Sequence, residues 1–280
     1  MNSEFTQKDA AGEPVSTSAS PGRVSLAVDG PLATITLDHP ARLNAMSIAM
    51  WRELRERVEE AVANDDVRAT VVIGAGERAF CSGADISEFG RNRSDPTAGA
   101  EYDGVVDAGL GALRTAAKPT IAAIRGICFG GGLEIALCCD LRVASANSRF
   151  RIPAARLGLG YAFDHVALLA DRLGADAAAE ILFTAATLDA ETAQRVGILT
   201  RIFPDERFHA EASRFADIVA GNAPLVLRAV KLALLEHARP AGQRDLRATE
   251  AAVSACLASE DYREGQAAFR EKREPRFTGR

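Results

Sequence analysis

Two glycine-bearing stretches hold the residues of this chain best suited to chemistry. The first is Phe80-Cys81-Ser82-Gly83-Ala84-Asp85-Ile86, which follows a short apolar run and the turn Gly74-Ala75-Gly76. Gly83 and Ala84 put almost no side chain around the backbone, so a ligand can approach their N–H groups closely. The same residues also fit a tight turn in which Asp85 caps a helix. The second stretch is Gly130-Gly131-Gly132-Leu133-Glu134. Free N–H groups at a helix start point outward and carry partial positive charge. They suit a phosphate, or an oxygen that becomes negative during a reaction. Glu134 sits one turn into the helix, where it either faces the same space as Gly131 or only complements the helix dipole. Two such N–H groups that converge would form an oxyanion hole for a thioester enolate or a tetrahedral intermediate. No Lys follows the glycines, so the phosphate loop GxxxxGK[ST] is absent, and so is the dinucleotide motif GxGxxG.

The elements that must position these stretches can be read from periodicity. Ser25–Val28 and Leu32–Leu37 flank Asp29-Gly30-Pro31, a hairpin signal. Ser47 opens a helix whose apolar face is Trp51, Leu54, Val58 and Val62. Ala69–Ile73, Thr120–Ile124 and Leu141–Ala144 read as buried strands, and Leu133–Cys139 as a short apolar helix. Gly90–Gly99 is polar and loop-like. Beyond Val166 the pattern is helical, with Ala175–Phe183 and Ala190–Val196 as helices and Leu199–Phe203 as a last strand. Then Glu206–Ala220, Pro224–His237, Leu246–Leu257 and Tyr262–Lys272 all carry helical periodicity. No sequence repeat of fixed period occurs. Three parts are expected: a disordered tail over 1–22, an α/β core over 23–204 and a helical region over 205–280.

The 280 residues are 48% hydrophobic and 25% charged, which excludes a mostly disordered or collagen-like chain. Lys and Arg number 33 against 38 Asp and Glu, a net charge of −5. With no basic, aromatic-interleaved patch, that balance argues against a nucleic-acid partner. Cys81, Cys128, Cys138, Cys139 and Cys256 form no CxxC pair and no metal spacing. Their odd number, with no secretory signal, predicts reduced thiols in the cytoplasm. No apolar run reaches the roughly 18 residues of a membrane span, so no membrane partner is expected.

With these pieces in place, the chain resembles the crotonase superfamily, also called the enoyl-CoA hydratase/isomerase family. The matching stretches are His39-Pro40-Ala41-Arg42-Leu43-Asn44-Ala45, Phe80–Ile86, Lys118–Ile124 running into Gly126–Glu134, Cys139-Asp140, and Ser259–Phe269 with Glu271-Lys272-Arg273. The resemblance implies an α/β spiral of ββα units with a C-terminal helical trimerisation region. It also implies a homotrimer or a dimer of trimers, an acyl-CoA thioester substrate, and no cofactor beyond the CoA carried by that substrate. By the same resemblance Ala84 and Gly131 would supply the oxyanion hole, and Glu134 would be the acid or base. Arg42, Ala45, Asp85, Ile86, Ser87, Gly130 and Tyr161 would line the CoA and acyl channel, with Arg42 near the CoA phosphates. Phe269 and Lys272 would help enclose the CoA, from the same or a neighbouring subunit.

The chain departs from the family pattern at one catalytic position. Hydratases of this family carry a second glutamate after a proline, and in Phe150-Arg151-Ile152-Pro153-Ala154 that place belongs to Ala154. Tyr161, Asp164 and His165 follow and could compensate. Tyr161 is in register with a tyrosine of relatives that decarboxylate malonyl-type thioesters, although those carry a His where Ala84 stands here. Bland readings exist for all three: Tyr161 as a pocket wall, Asp164 as the N-cap of a helix beginning near Val166, and His165 as a structural residue in its first turn. His39, His209 and His237 have no partner pattern, and Arg156 reads as a surface residue. The expected activity is hydration of a 2-enoyl-CoA or migration of its double bond. The alternatives are a malonyl-type acyl-CoA decarboxylase and an acyl-CoA-binding protein without turnover.

Overall fold

The computed structural model describes residues 21–92 and 94–280. The tail expected over 1–22 thus lies, but for its last two residues, outside the described residues. The Asp-Gly turn closes the predicted hairpin: strand β1 (Arg23–Asp29) pairs antiparallel with β2 (Leu32–Asp38), and Gly30 takes the positive φ of +52° that the turn requires. Ser47 caps helix α1 (Ile48–Ala63) by accepting from the Met50 N–H. Met50, Trp51, Leu54, Val58 and Ala61 form its buried stripe.

From there the chain winds in turns, each giving one strand to each of two sheets. Strands β3 (Ala69–Gly74) and β4 (Ala79–Cys81) make the first turn, followed by α2 (Phe89–Asn92) and α3 (Pro96–Thr115). β5 (Thr120–Ile124), β6 (Ile127–Phe129) and α4 (Gly131–Cys138) make the second. β7 (Leu141–Ser145), β8 (Arg149–Arg151) and the helices α5 (Ala154–Leu157), α6 (Phe163–Leu173) and α7 (Ala175–Thr184) make the third. The large sheet runs β1-β2-β3-β5-β7-β10 and the small one β4-β6-β8-β9, with β9 at Leu188–Asp189, α8 at Ala190–Arg195 and β10 at Arg201–Phe203. This is the spiral of ββα units that the sequence resemblance implies. Its turns left no sequence period because Ala69, Thr120 and Leu141 open them at very unequal intervals.

The core lies between the sheets and the helices they lead into, with Trp51, Phe80 and Phe150 among its largest fully buried side chains. β5 is buried at every residue because α9 (Phe208–Ala220) covers its outer face through Phe208, Ala212 and Ala216. The predicted helical region follows as α9, α10 (Pro224–Ala238), α11 (Leu246–Ala258) and α12 (Glu260–Glu271). Buried Lys231 ties α10 to the core through Asp140 Oδ1 at 2.5 Å, and Asp140 Oδ2 accepts from the Thr120 N–H.

One stretch corrects the sequence reading. Gly90–Gly99, read as a loop, holds the end of α2 and the start of α3. Asp95 caps α3 by accepting from the Thr97 and Ala98 N–H groups, and Pro96 follows at its start. The stripe Tyr102, Val106, Leu110 and Leu113 is buried at helical spacing, but four glycines dilute it in the sequence. Gly109 has a packing reason, since a Cβ there would stand 3.0 Å from the Trp51 carbonyl oxygen.

One of the tight backbone approaches in the fold is between β4 and α4. A Cβ on Gly132 would lie 2.3 Å from the Cys81 carbonyl oxygen. Gly132→Ala is therefore expected to lower stability by about 1–3 kcal/mol, read as a fall in the urea midpoint. An unchanged midpoint would show that the two elements can separate freely.

Candidate active site

The site is built on that close approach. After β4 the chain turns through Gly83, whose φ of +107° suits glycine. A single parallel bridge joins Met46 to Ala84: the Met46 N–H donates to the Gly83 carbonyl at 2.8 Å, and the Asp85 N–H donates to the Met46 carbonyl at 2.9 Å. The bridge uses the groups on either side of Ala84, so the Ala84 N–H itself faces away from it. On that side lies the first residue of α4. A Cβ placed on Gly131 would be 3.8 Å from the Ala84 nitrogen, and one on Gly83 would be 3.4 Å from the Gly131 nitrogen. Neither N–H has a backbone acceptor among the described residues. Both can donate to one oxygen between them.

Glu134 lies one turn into α4 and is 4% exposed. His165, from the first turn of α6, brings Nδ1 to 2.9 Å from Glu134 Oε1. The other ring nitrogen, Nε2, stands 3.2 Å from Oδ1 of Asp107 on α3, a carboxylate about half exposed. Tyr161 packs edge-on to the His165 ring at 5.6 Å between centroids. The hydrogen bond to Glu134 is the main cause that raises the His165 pKa above its ordinary value. Burial opposes this, and the charges of Glu134, Asp107 and Asp103 add to the rise. Burial and then the Glu134 charge push the Tyr161 phenol up, so it stays a donor.

A cleft of about 130 Å³ opens over these groups. Of the residues predicted for the site, Ala84, Ile86, Gly130, Gly131, Glu134 and Tyr161 line it. Ala154 lines it too, as a methyl group. Ala45, Arg42, Asp85 and Ser87 do not. Arg42 Nη1 instead grips both Asp85 oxygens, at 3.0 and 2.9 Å, and donates to the Ser87 hydroxyl. Burial alone would raise the Asp85 pKa, but the Ser87 hydroxyl and amide, with the Arg42 charge, outweigh it and hold it below the usual range. Asp85 also caps the short turn Ile86–Glu88, as its bland reading anticipated.

Phe269, 86% exposed, and Lys272, the left-handed residue closing α12, stand apart from the cleft within this chain. Asp164 is not an N-cap. α6 starts at Phe163 with Ala162 as its uncapped N-terminal neighbour, and Asp164 is an exposed residue of the first turn. The helix begins earlier than its apolar period shows, because that first turn is largely exposed while the buried residues are Leu168 and Leu169. His165 was read both as a residue that could compensate for Ala154 and as a structural histidine, and the structure places it against Glu134. Two contributors escaped the sequence reading. Asp107 lies on the unrecognised α3, where the i, i+4 pair Asp103 and Asp107 was the available signal. Trp51 was read as core only, yet it lines the cleft beside Gly131, and its buried Nε1 has no acceptor among the described residues.

A model of the enoyl-CoA hydratase/isomerase family matches residues 28–280. The chain belongs to this family. It is 31% identical over 250 residues to a short-chain-enoyl-CoA hydratase of Clostridium acetobutylicum, covering 89% of this chain and 95% of that one. It is 34% identical over 259 residues to a carnitinyl-CoA dehydratase of Proteus mirabilis, covering 91% and 98%. Among solved structures, an enoyl-CoA hydratase/carnithine racemase from Magnetospirillum magneticum superposes with a TM-score of 0.88 at 35% identity, over 93% of this chain and 97% of that one. Among the described residues no single helix is long and apolar enough to cross a membrane, and no group of His, Cys, Asp or Glu could hold a metal ion.

The pairing of His165 makes stability depend on pH. A histidine whose folded pKa is raised stabilises the fold fully below its unfolded value, about 6.5, and that contribution is lost as pH rises through the folded value. His165→Gln should therefore cost more stability at pH 6 than at pH 9 in urea unfolding. An equal cost at both pH values would show that no proton is linked to folding at this position.

Proposed function

We propose that this member of the enoyl-CoA hydratase/isomerase family binds an enoyl-CoA and moves a proton on its acyl chain while the thioester is held as an enolate. The observation that carries this reading is the position of Glu134. It is a buried carboxylate one turn beyond Gly131, in the same cleft as the paired N–H groups of Ala84 and Gly131. The thioester oxygen would accept from both N–H groups, which are fixed by backbone and need no reorganisation as negative charge builds on it. Glu134 would remove a proton from the carbon next to the thioester. The electron pair left behind would spread onto the oxygen in the N–H pair, and Glu134 would return the proton to the same chain.

Double-bond migration is the first reading. It takes one proton off the α-carbon of a 3-enoyl-CoA and returns one to the γ-carbon, so a single carboxylate suffices. Ala154, where the family's hydratases place a second glutamate, offers no group to hold a water. Hydration is the second reading. It is favoured by the hydratase relatives and by His165, which adds a second titratable group next to Glu134. The CoA would lie beyond Ile86, with Arg42 at its phosphates despite the Asp85 pairing. Val226, Val230 and Leu234 lie at four-residue spacing on α10 and are about half exposed. That stripe supports self-association, in which Phe269 and Lys272 of one copy would reach the CoA bound by another. A single-copy mass in sedimentation would overturn this last point.

Incubation with 3-enoyl-CoA and 2-enoyl-CoA thioesters separates the readings. Conversion of 3-enoyl to 2-enoyl without a 3-hydroxyacyl product means double-bond migration, and a 3-hydroxyacyl product means hydration. Glu134→Gln should lower kcat by about 10²–10⁴-fold while CoA thioester binding persists. Turnover insensitive to that change removes Glu134 as the proton carrier. If neither thioester is changed but a malonyl-type thioester releases carbon dioxide, the decarboxylase alternative stands instead. Binding with no turnover of any of them would leave an acyl-CoA-binding protein.

A further inference from the structure

Double-bond migration, the first reading, leaves His165 and Asp107 without a task. We infer that His165 is a positioning residue for Glu134: set between Glu134 Oε1 at 2.9 Å and Asp107 Oδ1 at 3.2 Å, its imidazolium keeps the buried carboxylate ionised and pins one of its oxygens, leaving the other for the substrate. This inference rests on the role proposed for Glu134.

Counting protons carries the argument. A ring nitrogen and a carboxylate oxygen at such distances need one proton between them, since two lone pairs would repel. The Nε2 contact takes its proton on the ring, from which an N–H donates to the half-exposed Asp107 carboxylate. The Nδ1 contact must hold a second proton, on either Nδ1 or Glu134 Oε1. Placed on Nδ1, it makes the ring a cation among acids from two helices, Glu134 of α4 with Asp103 and Asp107 of α3. Placed on Oε1, it leaves a neutral Glu134 that cannot act as the base. The upward shift of the His165 pKa agrees with the first arrangement.

Glu134 needs such help. At 4% exposure it has lost most of its hydration, and burial drives a lone carboxyl toward its neutral form. Tyr161, in the same cleft, supplies no charge. The other acids at the cleft would only oppose ionisation. His165 is the cation that contacts Glu134, and Asp107 in turn favours the charged ring.

The test combines kcat/KM profiles against pH with NMR titration of the His165 imidazole in the full chain. Asp107→Asn, at an exposed position that should fold normally, is expected to lower the His165 pKa by about half a unit to one unit and to move the basic limb of the profile down with it. His165→Gln keeps a hydrogen-bond donor without the charge, and should move the acidic limb up by about one unit or more as Glu134 becomes easier to protonate. A wild-type His165 that titrates at or below about 6.5 overturns the inference. So does an Asp107→Asn variant whose His165 pKa falls while the basic limb stays in place. Absence of turnover on every enoyl thioester would instead sink the proposed reaction. The charge assignment would then be decided by NMR alone, supported by a raised His165 pKa that Asp107→Asn reduces.

Discussion

The site depends on one backbone contact, the approach of the turn after β4 to the first residues of α4. Gly132 lets the start of α4 press against the Cys81 carbonyl, and Gly83 bends the chain so that Ala84 lies beside Gly131. Side chains could not do this work as well, because an N–H fixed by a strand bridge or by a helix start has no rotamer to lose. The β4–β6 pairing and the burial of Phe80 and Cys81 hold one wall, while Leu133, Ile135, Ala136 and Leu137 of α4 hold the other. Core packing on both sides is thus what sets the separation of two N–H groups.

The second constraint is electrostatic and follows from the first. A helix sunk deeply enough to bring Gly131 to Ala84 also sinks Glu134, and a sunken carboxylate costs free energy unless it is paired. The pairing comes from outside the spiral's own strands. α6 supplies His165, the loop before it supplies Tyr161, and α3 supplies Asp107. The long helical excursion after β4 therefore does more than cover the core. Its buried stripe seats it against α1, and its i, i+4 acids then face the imidazole.

Much of this could be read from the sequence, and the reasons differ by element. The hairpin, α1 and the inner strands were legible because each has one buried face or a run buried on both, and burial imposes period. The glycine stretches were legible because close backbone contact excludes other residues. α3 was not, because its stripe is interleaved with glycines that suit tight packing and weaken the helical signal. Asp164 was misread as a cap because exposed first turns carry no apolar period to mark where a helix begins. The Glu134–His165–Asp107 chain was invisible for a different reason. Its three members come from three helices far apart in sequence, and no spacing rule joins residues whose neighbourhood is made only by folding.

That chain also changes what Ala154 means. Seen alone, an alanine at that position reads as a missing acid. In the folded cleft it is a methyl group on the wall, while the titratable partner of Glu134 arrives from α6. A second carboxylate near Glu134 would repel it as a like charge, whereas a protonated His165 ring attracts it. The two arrangements therefore prepare Glu134 differently. Two acids favour sharing a proton between them, and an acid paired with a histidine favours a single ionised base with its proton store behind it. Whichever proton transfer the cleft serves, its acid and its imidazole come from separate helices, so the packing of α6 against α4 sets their separation.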